Sequence, residues 1–204
     1  LYIKSFKEIM EMETAMLKYT LNYLAENYKK EIALLSLTLP MVETIPAIRF
    51  REAKMKIAEA YNRPVSDWED FEPEEEKLLS EIILKETGSE FVFVTHYPSV
   101  KRPFYAMDSK ENLNETESFD LLFRGLEITT GGQRIHNYEE QISKMQQKNM
   151  NVQLFESYLM MHKHGMPPHG GLGLGLERFT SKLLGYENVR FTTLFPRDIN
   201  RLIP

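Results

Sequence analysis

The sequence predicts an α+β fold in which a mostly antiparallel sheet is flanked by helices, and three observations carry that expectation. Apolar residues recur at helical spacing through the first thirty positions, segments rich in aromatic and β-branched residues begin at Glu90, and helical patterns return among those segments. In order along the chain, Phe6, Ile9, Met10, Leu17, Leu21 and Leu24 predict a helix from about Ser5 to Tyr28, with Ser5 as N-cap and Glu8 in the capping-box position. Met10, Met12 and Met16 read as packing residues of that helix. A short strand at Ile48-Arg49-Phe50 leads into a helix through Tyr61, which Asn62-Arg63-Pro64 stops. Another helix starts near Pro73, a residue suited to the first turn, and runs to about Glu86 before Gly88. FVFVTHYP, RPFYAM, SFDLLFRG and LEITTGGQRIH then read as strands, followed by helices at about Tyr138 to Lys148 and Gln153 to His162 and a strand-to-helix passage in GMPPHGGLGLGLERF.

Composition narrows the class of function. The 204 residues hold 25 Lys plus Arg and 30 Asp plus Glu, a net charge of −5, with 42% hydrophobic and 11% aromatic residues, so the chain can bury one substantial core. There is no cysteine, which excludes disulfides, thiolate-bound zinc and a thiol nucleophile and fits a reducing compartment. No apolar run reaches the roughly 18 residues of a membrane span, and the N-terminal LYIKSFKEIMEMET lacks a signal-type apolar segment. The charge is uneven. Arg178, Lys182, Arg190, Arg197 and Arg201 outweigh Glu187 and Asp198 near the C-terminus, whereas the acidic run from Asp67 to Glu76 reads as a solvated loop entering a helix.

Two constellations can carry chemistry. Gly170, Gly171, Gly173 and Gly175 alternate with Leu172, Leu174 and Leu176; on a strand this gives one face leucines and leaves the other bare, a floor for a flat ligand such as a nucleobase, or a site of close backbone packing. The spacing matches neither G-x-G-x-x-G nor a phosphate-binding loop ending in Gly-Lys-Ser/Thr. Arg178 begins the next helix, where its planar guanidinium can stack on a base, pair with a phosphate, or make a surface ion pair with Glu177 or Glu187. In SFDLLFRGLEITTGGQRIH, Asp120 and Glu127 are seven apart across a Gly125 turn, so neighbouring strands can bring both carboxylates to one face. Such a pair suits Mg²⁺ beside phosphate oxygens, and equally suits a hairpin with cross-strand ion pairs. Thr130 can add a hydroxyl and Arg134 a bidentate carboxylate contact. Among five histidines, His162 and His164 show no metal-ligand spacing, while His96 and His169 sit in turns that can face a pocket. No Ser-His-Asp or GxSxG signature supports hydrolase chemistry.

HGGLGLGLERF followed by NVRFTTLFPRDINRLIP resembles the third signature motif and C-terminus of class II aminoacyl-tRNA synthetases of the aspartyl/asparaginyl group, and SFDLLFRGLEITTGGQRIH resembles that group's amino-acid and magnesium site. The resemblance runs from the Phe6 helix to Pro204. It implies a six-stranded antiparallel sheet flanked by helices, with ATP and the amino acid bound on the sheet. On the matching residues, Arg178 would hold the ATP adenine and γ-phosphate over the Gly173 and Gly175 floor. Glu127 and Thr130 would bind Mg²⁺ with Asp120 assisting, and Arg134 would hold the amino-acid side chain, with Arg102, His169 and Gly171 beside it. RPFY at Arg102 to Tyr105, GGQRIH at Gly131 to His136 and LFPRD at Leu194 to Asp198 resemble archaeal-type aspartyl enzymes. Relatives often show Asp at the position of His96, in TDYP.

The resemblance therefore implies a cytoplasmic ligase that activates L-aspartate with ATP and passes it to tRNA for Asp, and for Asn in relaxed members, as a homodimer at full length. Residues 1–204 are expected to form the C-terminal part of the catalytic domain, helical over about 1–88 and sheet-forming over about 89–204. The anticodon-binding domain, first motif and second motif with its α-phosphate arginine are expected to be absent, leaving the chain inactive alone. Three other readings share these residues: an asparaginyl enzyme, a tRNA-independent asparagine synthetase, and a nucleotide-binding module that lost transfer chemistry.

Overall fold

The computed structural model describes residues 1–203; Pro204, the end of the resembling segment, lies outside the described residues. Among the described residues, seven α-helices and five strands follow in the order α1 (Lys7–Asn27), α2 (Lys29–Leu34), β1 (Ala47–Arg49), α3 (Phe50–Ala60), α4 (Pro73–Thr87), β2 (Phe91–Thr95), β3 (Ser118–Phe123), β4 (Leu126–Arg134), α5 (Tyr138–Gln147), α6 (Glu156–Lys163), β5 (His169–Leu174) and α7 (Leu176–Leu184), with short 3-10 turns at Val152–Phe155 and Val189–Thr192. Helices and sheet strands alternate with long helical stretches on either side, the expected α+β class. Among the described residues, no helix is long and apolar enough to cross a membrane.

The sheet has the order β1-β2-β3-β4-β5, parallel between β1 and β2 and antiparallel elsewhere. This corrects the expectation of six antiparallel strands: Leu1–Ile3 contributes a single bridge, Tyr2 to His169, beside the start of β5. RPFYAM is also not a strand. Pro103 cannot donate to a ladder, and the segment forms turns within a loop tied to the sheet by the Ala106–Arg134 bridge.

Side chains alternate across the strands, so each strand builds two layers. Phe91, Phe93, Phe119, Leu121 and Phe123 face α1 and α7, packing with Ile9, Leu17, Leu21, Phe179 and Leu183. Phe91 and Phe123, register partners, stack at 4.3 Å with an interplanar angle of 8°. On the other face Val92, Val94 and Leu122 pack with Phe50, Ile57 of α3 and Leu79, Ile82, Ile83 of α4. α4 reaches as far as the β3–β4 hairpin tip, and the rest of that face, along β4 and β5, carries the site.

Helix ends follow local chemistry with two departures. Phe6, not Ser5, is the N-cap of α1 and no side chain caps it; Glu8 still reaches back to the backbone N–H of Ser5 at 3.1 Å, while Ser5 Oγ accepts from Lys7 rather than Glu8, so only half of the expected box forms. At α4 the box is complete between Glu72 and Glu75, with Pro73 in the first turn and Gly88 ending the helix in the left-handed region. The acidic run entering α4 is not wholly solvated: Glu75 is buried and bonds Lys54 Nζ at 2.5 Å, and Glu76 is half-buried against the β3–β4 hairpin.

The buried stripe of α1 is Ile9, Glu13, Leu17 and Leu21, which places a carboxylate at a core position. Glu13 is fully buried, faces Thr129 of β4 and has no well-formed hydrogen bond; burial pushes its pKa up to about 7. The folded state thus holds this proton more tightly than the unfolded chain, so stability present near pH 4.5 is lost as pH rises through about 7. Glu13→Leu should remove this loss, gaining roughly 1–3 kcal/mol at pH 8 relative to the parent and little at pH 4.5. Urea unfolding across that pH range measures it, and parallel pH profiles for the two proteins would refute it.

Candidate active site

The β3–β4 hairpin builds the site's acidic end. Its two-residue turn, Arg124-Gly125, has positive φ at both positions, 47° and 75°, the backbone of a tight hairpin turn that follows strand twist. A Cβ on Gly125 would meet Lys77 Cγ at 2.9 Å, so close approach of α4 adds a second requirement for glycine. Phe123 pairs with Leu126 and Leu122 with Glu127, but Leu121 pairs with Thr129, leaving Ile128 as the extra residue of a β-bulge. Ile128 and Thr129 are both buried on the α1 side. Glu127 and Thr130, three apart, therefore share the opposite face, where Thr130 Oγ1 donates to Glu127 Oε1 at 2.6 Å.

Beyond the bulge, three strands align the floor. Asp120, Thr130 and Gly173 are in register, followed by Ser118, Gly132 and Gly171, and then Arg134 opposite His169. A Cβ on Gly173 would have no atom within 4 Å, and one on Gly171 would meet only the Arg134 guanidinium, nearest 3.6 Å. Leu172 and Leu174 point the other way into the α1 core, so the alternation divides the strand into packing and bare faces as expected. Gly170 is different: its Cβ would lie 2.5 Å from the Gly132 carbonyl, so it serves close packing.

A loop walls the Arg134 end of this face. Arg102, Tyr105, Thr130, Gly132, Arg134 and Gly173 line a cavity of ≈ 300 Å³. Arg102 Nη2 lies 2.8 Å from Asp120 Oδ2, and its guanidinium lies 4.0 Å from the centroid of the buried Tyr97 ring. Burial raises the Asp120 pKa, opposed by Arg102 and reinforced by Glu127, and Oδ1 is left without a hydrogen-bond partner. Arg134 lies 5.1 Å from the Tyr105 ring centroid and makes no ion pair among the described residues. His169 donates from Nδ1 to the Pro167 carbonyl at 3.1 Å; burial lowers its pKa, keeping the ring neutral near pH 7.

At the other end, Arg178 arches over Gly175, its Cδ 3.5 Å from where a Cβ would sit. It pairs neither with Glu177 nor with Glu187: Nη1 donates to the Glu127 carbonyl at 2.9 Å and lies 3.6 Å from Glu127 Oε2. Glu76 of α4 adds a third carboxylate. Its Oε2 accepts from the backbone N–H of Glu127 at 3.1 Å, and burial, with the nearby Glu127 and Asp120 charges, pushes its pKa up to about 7. The ten residues singled out in the sequence thus share one face. Glu76, Tyr97 and Tyr105 join them unannounced, although Glu76 and Ser80 at i and i+4 do mark a second face of α4. His96 is turned away, its ring edge-on to Phe6 at 5.5 Å.

Among the described residues no three acidic or histidine side chains form a metal cage. Mg²⁺ does not require one, being held by one or two carboxylates plus substrate phosphates and water. The adjacent Glu127 and Thr130, the unpartnered Asp120 Oδ1 and the raised carboxyl pKa values fit a cation at this end.

The face thus combines a bare glycine floor on a mostly antiparallel sheet, an arginine over it and carboxylates on the next strands. The chain belongs to the family tRNA synthetases class II (D, K and N), which matches residues 1–199. It is 44% identical over 204 residues to the aspartate–tRNA(Asp/Asn) ligase of Thermus thermophilus, covering 100% of this chain and 47% of that protein. The aspartyl-tRNA synthetase of Entamoeba histolytica superposes with a TM-score of 0.93 at 28% identity, over 99% of this chain and 42% of that one. The asparaginyl-tRNA synthetase of Pyrococcus horikoshii gives 0.89 at 28% identity, over 100% and 48%. The chain spans about half the length of the relatives it matches.

The two glycine roles separate by stability. Gly170→Ala should cost roughly 1–3 kcal/mol, since its Cβ meets backbone and the Ile3 and Ile9 side chains, whereas Gly173→Ala should leave the melting temperature within about 1 °C. Thermal unfolding of both variants checks this, and equal destabilisation would mean that Gly173 is also a packing glycine.

Proposed function

We propose that this chain is the nucleotide- and aspartate-binding part of a longer aspartate–tRNA ligase. Arg134 carries the reading: a forked cation without a protein carboxylate, aimed into a small cavity beside a bare floor. A β-carboxylate meets it with two parallel hydrogen bonds, and a neutral amide forgoes the charge-assisted pairing. Relatives named as aspartate ligases support aspartate over asparagine, which the fold alone does not separate.

In this reading the α-carboxylate oxygen of aspartate bonds to the α-phosphorus of ATP as the bond to the bridging oxygen breaks and pyrophosphate leaves. The tRNA terminal hydroxyl then takes the aspartyl group and releases AMP. Gly173 and Gly175 receive the adenine, Arg178 closes over it and reaches the phosphates, and Arg134 fixes the side chain so that the α-carboxylate is presented to ATP. Glu127 and Thr130, with Asp120 beside them, would hold Mg²⁺, which when bound neutralises charge on the phosphate oxygens. The Arg102–Asp120 pair stiffens the wall between the two substrates.

The full-length protein should catalyse aspartate-dependent ATP–pyrophosphate exchange, with asparagine at least 100-fold slower. Charging of both tRNAAsp and tRNAAsn is proposed on the likeness to the Thermus ligase. Asparagine exchange as fast as aspartate exchange overturns the first claim, and charging confined to one tRNA overturns the second.

Arg134→Lys should raise the KM for aspartate at least tenfold and shift that for ATP by less than about twofold, because an ammonium keeps the charge and loses the fork. Equal weakening of both substrates would remove Arg134 from the amino-acid pocket.

A further inference from the structure

Helix α4 presents Glu76 and Ser80, one turn apart at the edge of its buried stripe, to the β3–β4 hairpin. Ser80 Oγ accepts from the N–H of Gly125 at 3.1 Å, and Glu76 Oε2 accepts from the N–H of Glu127 at 3.1 Å. These two contacts grip the hairpin tip, which is out of phase with the rest of its strand. From Thr129 to Gly132, β4 is paired to β3 on one side and β5 on the other, and Gln133 and Arg134 continue the pairing to β5. Leu126 and Glu127 are paired only to β3. Carrying the regular alternation back from Thr129 and Thr130, with Ile128 taking its place in the ladder, would put Glu127 on the α1 face with Thr129 and the buried Glu13.

We propose that Glu76 is a positioning residue for the nucleotide–metal site: by accepting the backbone N–H of Glu127 it holds the bulge and keeps the Glu127 carboxylate on the Thr130 face. The inference rests on the functional reading above and adds a residue on another element of the fold to it. Its chemical requirement is specific. Glu76 sits beside two carboxylates already, and the nearby guanidinium of Arg178 is engaged by Glu127, so a negative charge here is a burden and an acceptor atom is the useful part. Glutamine supplies the same acceptor without the charge.

The test compares the full-length wild-type protein with Glu76→Gln, Glu76→Ala and Glu76→Met, the last keeping bulk without the acceptor. Calorimetry follows Mg²⁺-supported binding of a non-hydrolysable ATP analogue, with adenosine and aspartate binding and thermal unfolding measured alongside. The expected result is a 10- to 100-fold loss of Mg²⁺-supported binding for Ala and Met, the range for removal of a residue that orients a metal ligand. Adenosine and aspartate affinities should stay within about twofold, and Gln should lie within about threefold of wild type. Wild-type binding by Ala or Met overturns the proposal, as does a Gln variant as weak as Ala, which would make the charge the active feature. Parallel loss of all three ligands also overturns it in favour of a purely structural role. Failure of the wild-type protein to bind the Mg²⁺-nucleotide would strike down the functional reading itself and this inference with it.

Discussion

One extra residue in β4 organises the molecule. With Ile128 bulged, the strand changes phase midway, so the two ends of β4 present different positions to the same face. Thr130, Gly132 and Arg134 then line up with Asp120 and Glu127, although an even-numbered run and an odd-numbered residue do not share a face of a regular strand. The bulge also sends Ile128 and Thr129 together into the α1 layer, so the core gains an apolar side chain at the step that the site requires. Bulges recur beside active sites because they re-aim side chains, and here the re-aimed pair is a carboxylate and a hydroxyl bonded to each other.

The electrostatics of the open face set function against stability. Three carboxylates, Glu76, Asp120 and Glu127, crowd one end, with Arg102 opposing the charge on Asp120 and Arg178 opposing that on Glu127. Burial raises the pKa values of Glu76 and Asp120, so the fold resists full ionisation of the three together. The opposite end is reversed, with Arg134 lacking an anion. The carboxylate end is complementary to a cation and the Arg134 end to an anion.

Much of this was legible in the sequence, for identifiable reasons. Pro73 and Gly88 bound α4 to within a residue, and the alternating glycines foretold a strand with one bare face. Asp120 and Glu127 were readable as one face because a two-residue turn fixes their relative phase. What escaped was whatever depends on distant parts of the chain. Ile128 looks like an ordinary strand residue, since a bulge is decided by the α4 clamp and by pairing on both sides of β4. Glu75 and Glu76 look like solvent-facing charges, and only Lys54 and the Glu127 N–H, reached through the fold, give them buried partners. Aromatic RPFY mimicked a strand because its rings serve the pocket wall and the Phe104–Tyr158 contact rather than a ladder.

The bare stretch of β5 constrains how this pocket can change over time. Where a wall is made of side chains, drift can trade one shape for another and a new ligand can be accommodated by degrees. At Gly173 every single substitution adds atoms and none removes them, so variation there can only fill the cavity. Divergence in what the site accepts is thereby channelled to Arg102, Tyr105, Arg134 and His169 along the rim, while the glycine floor is held to one chemistry by having no side chain to vary.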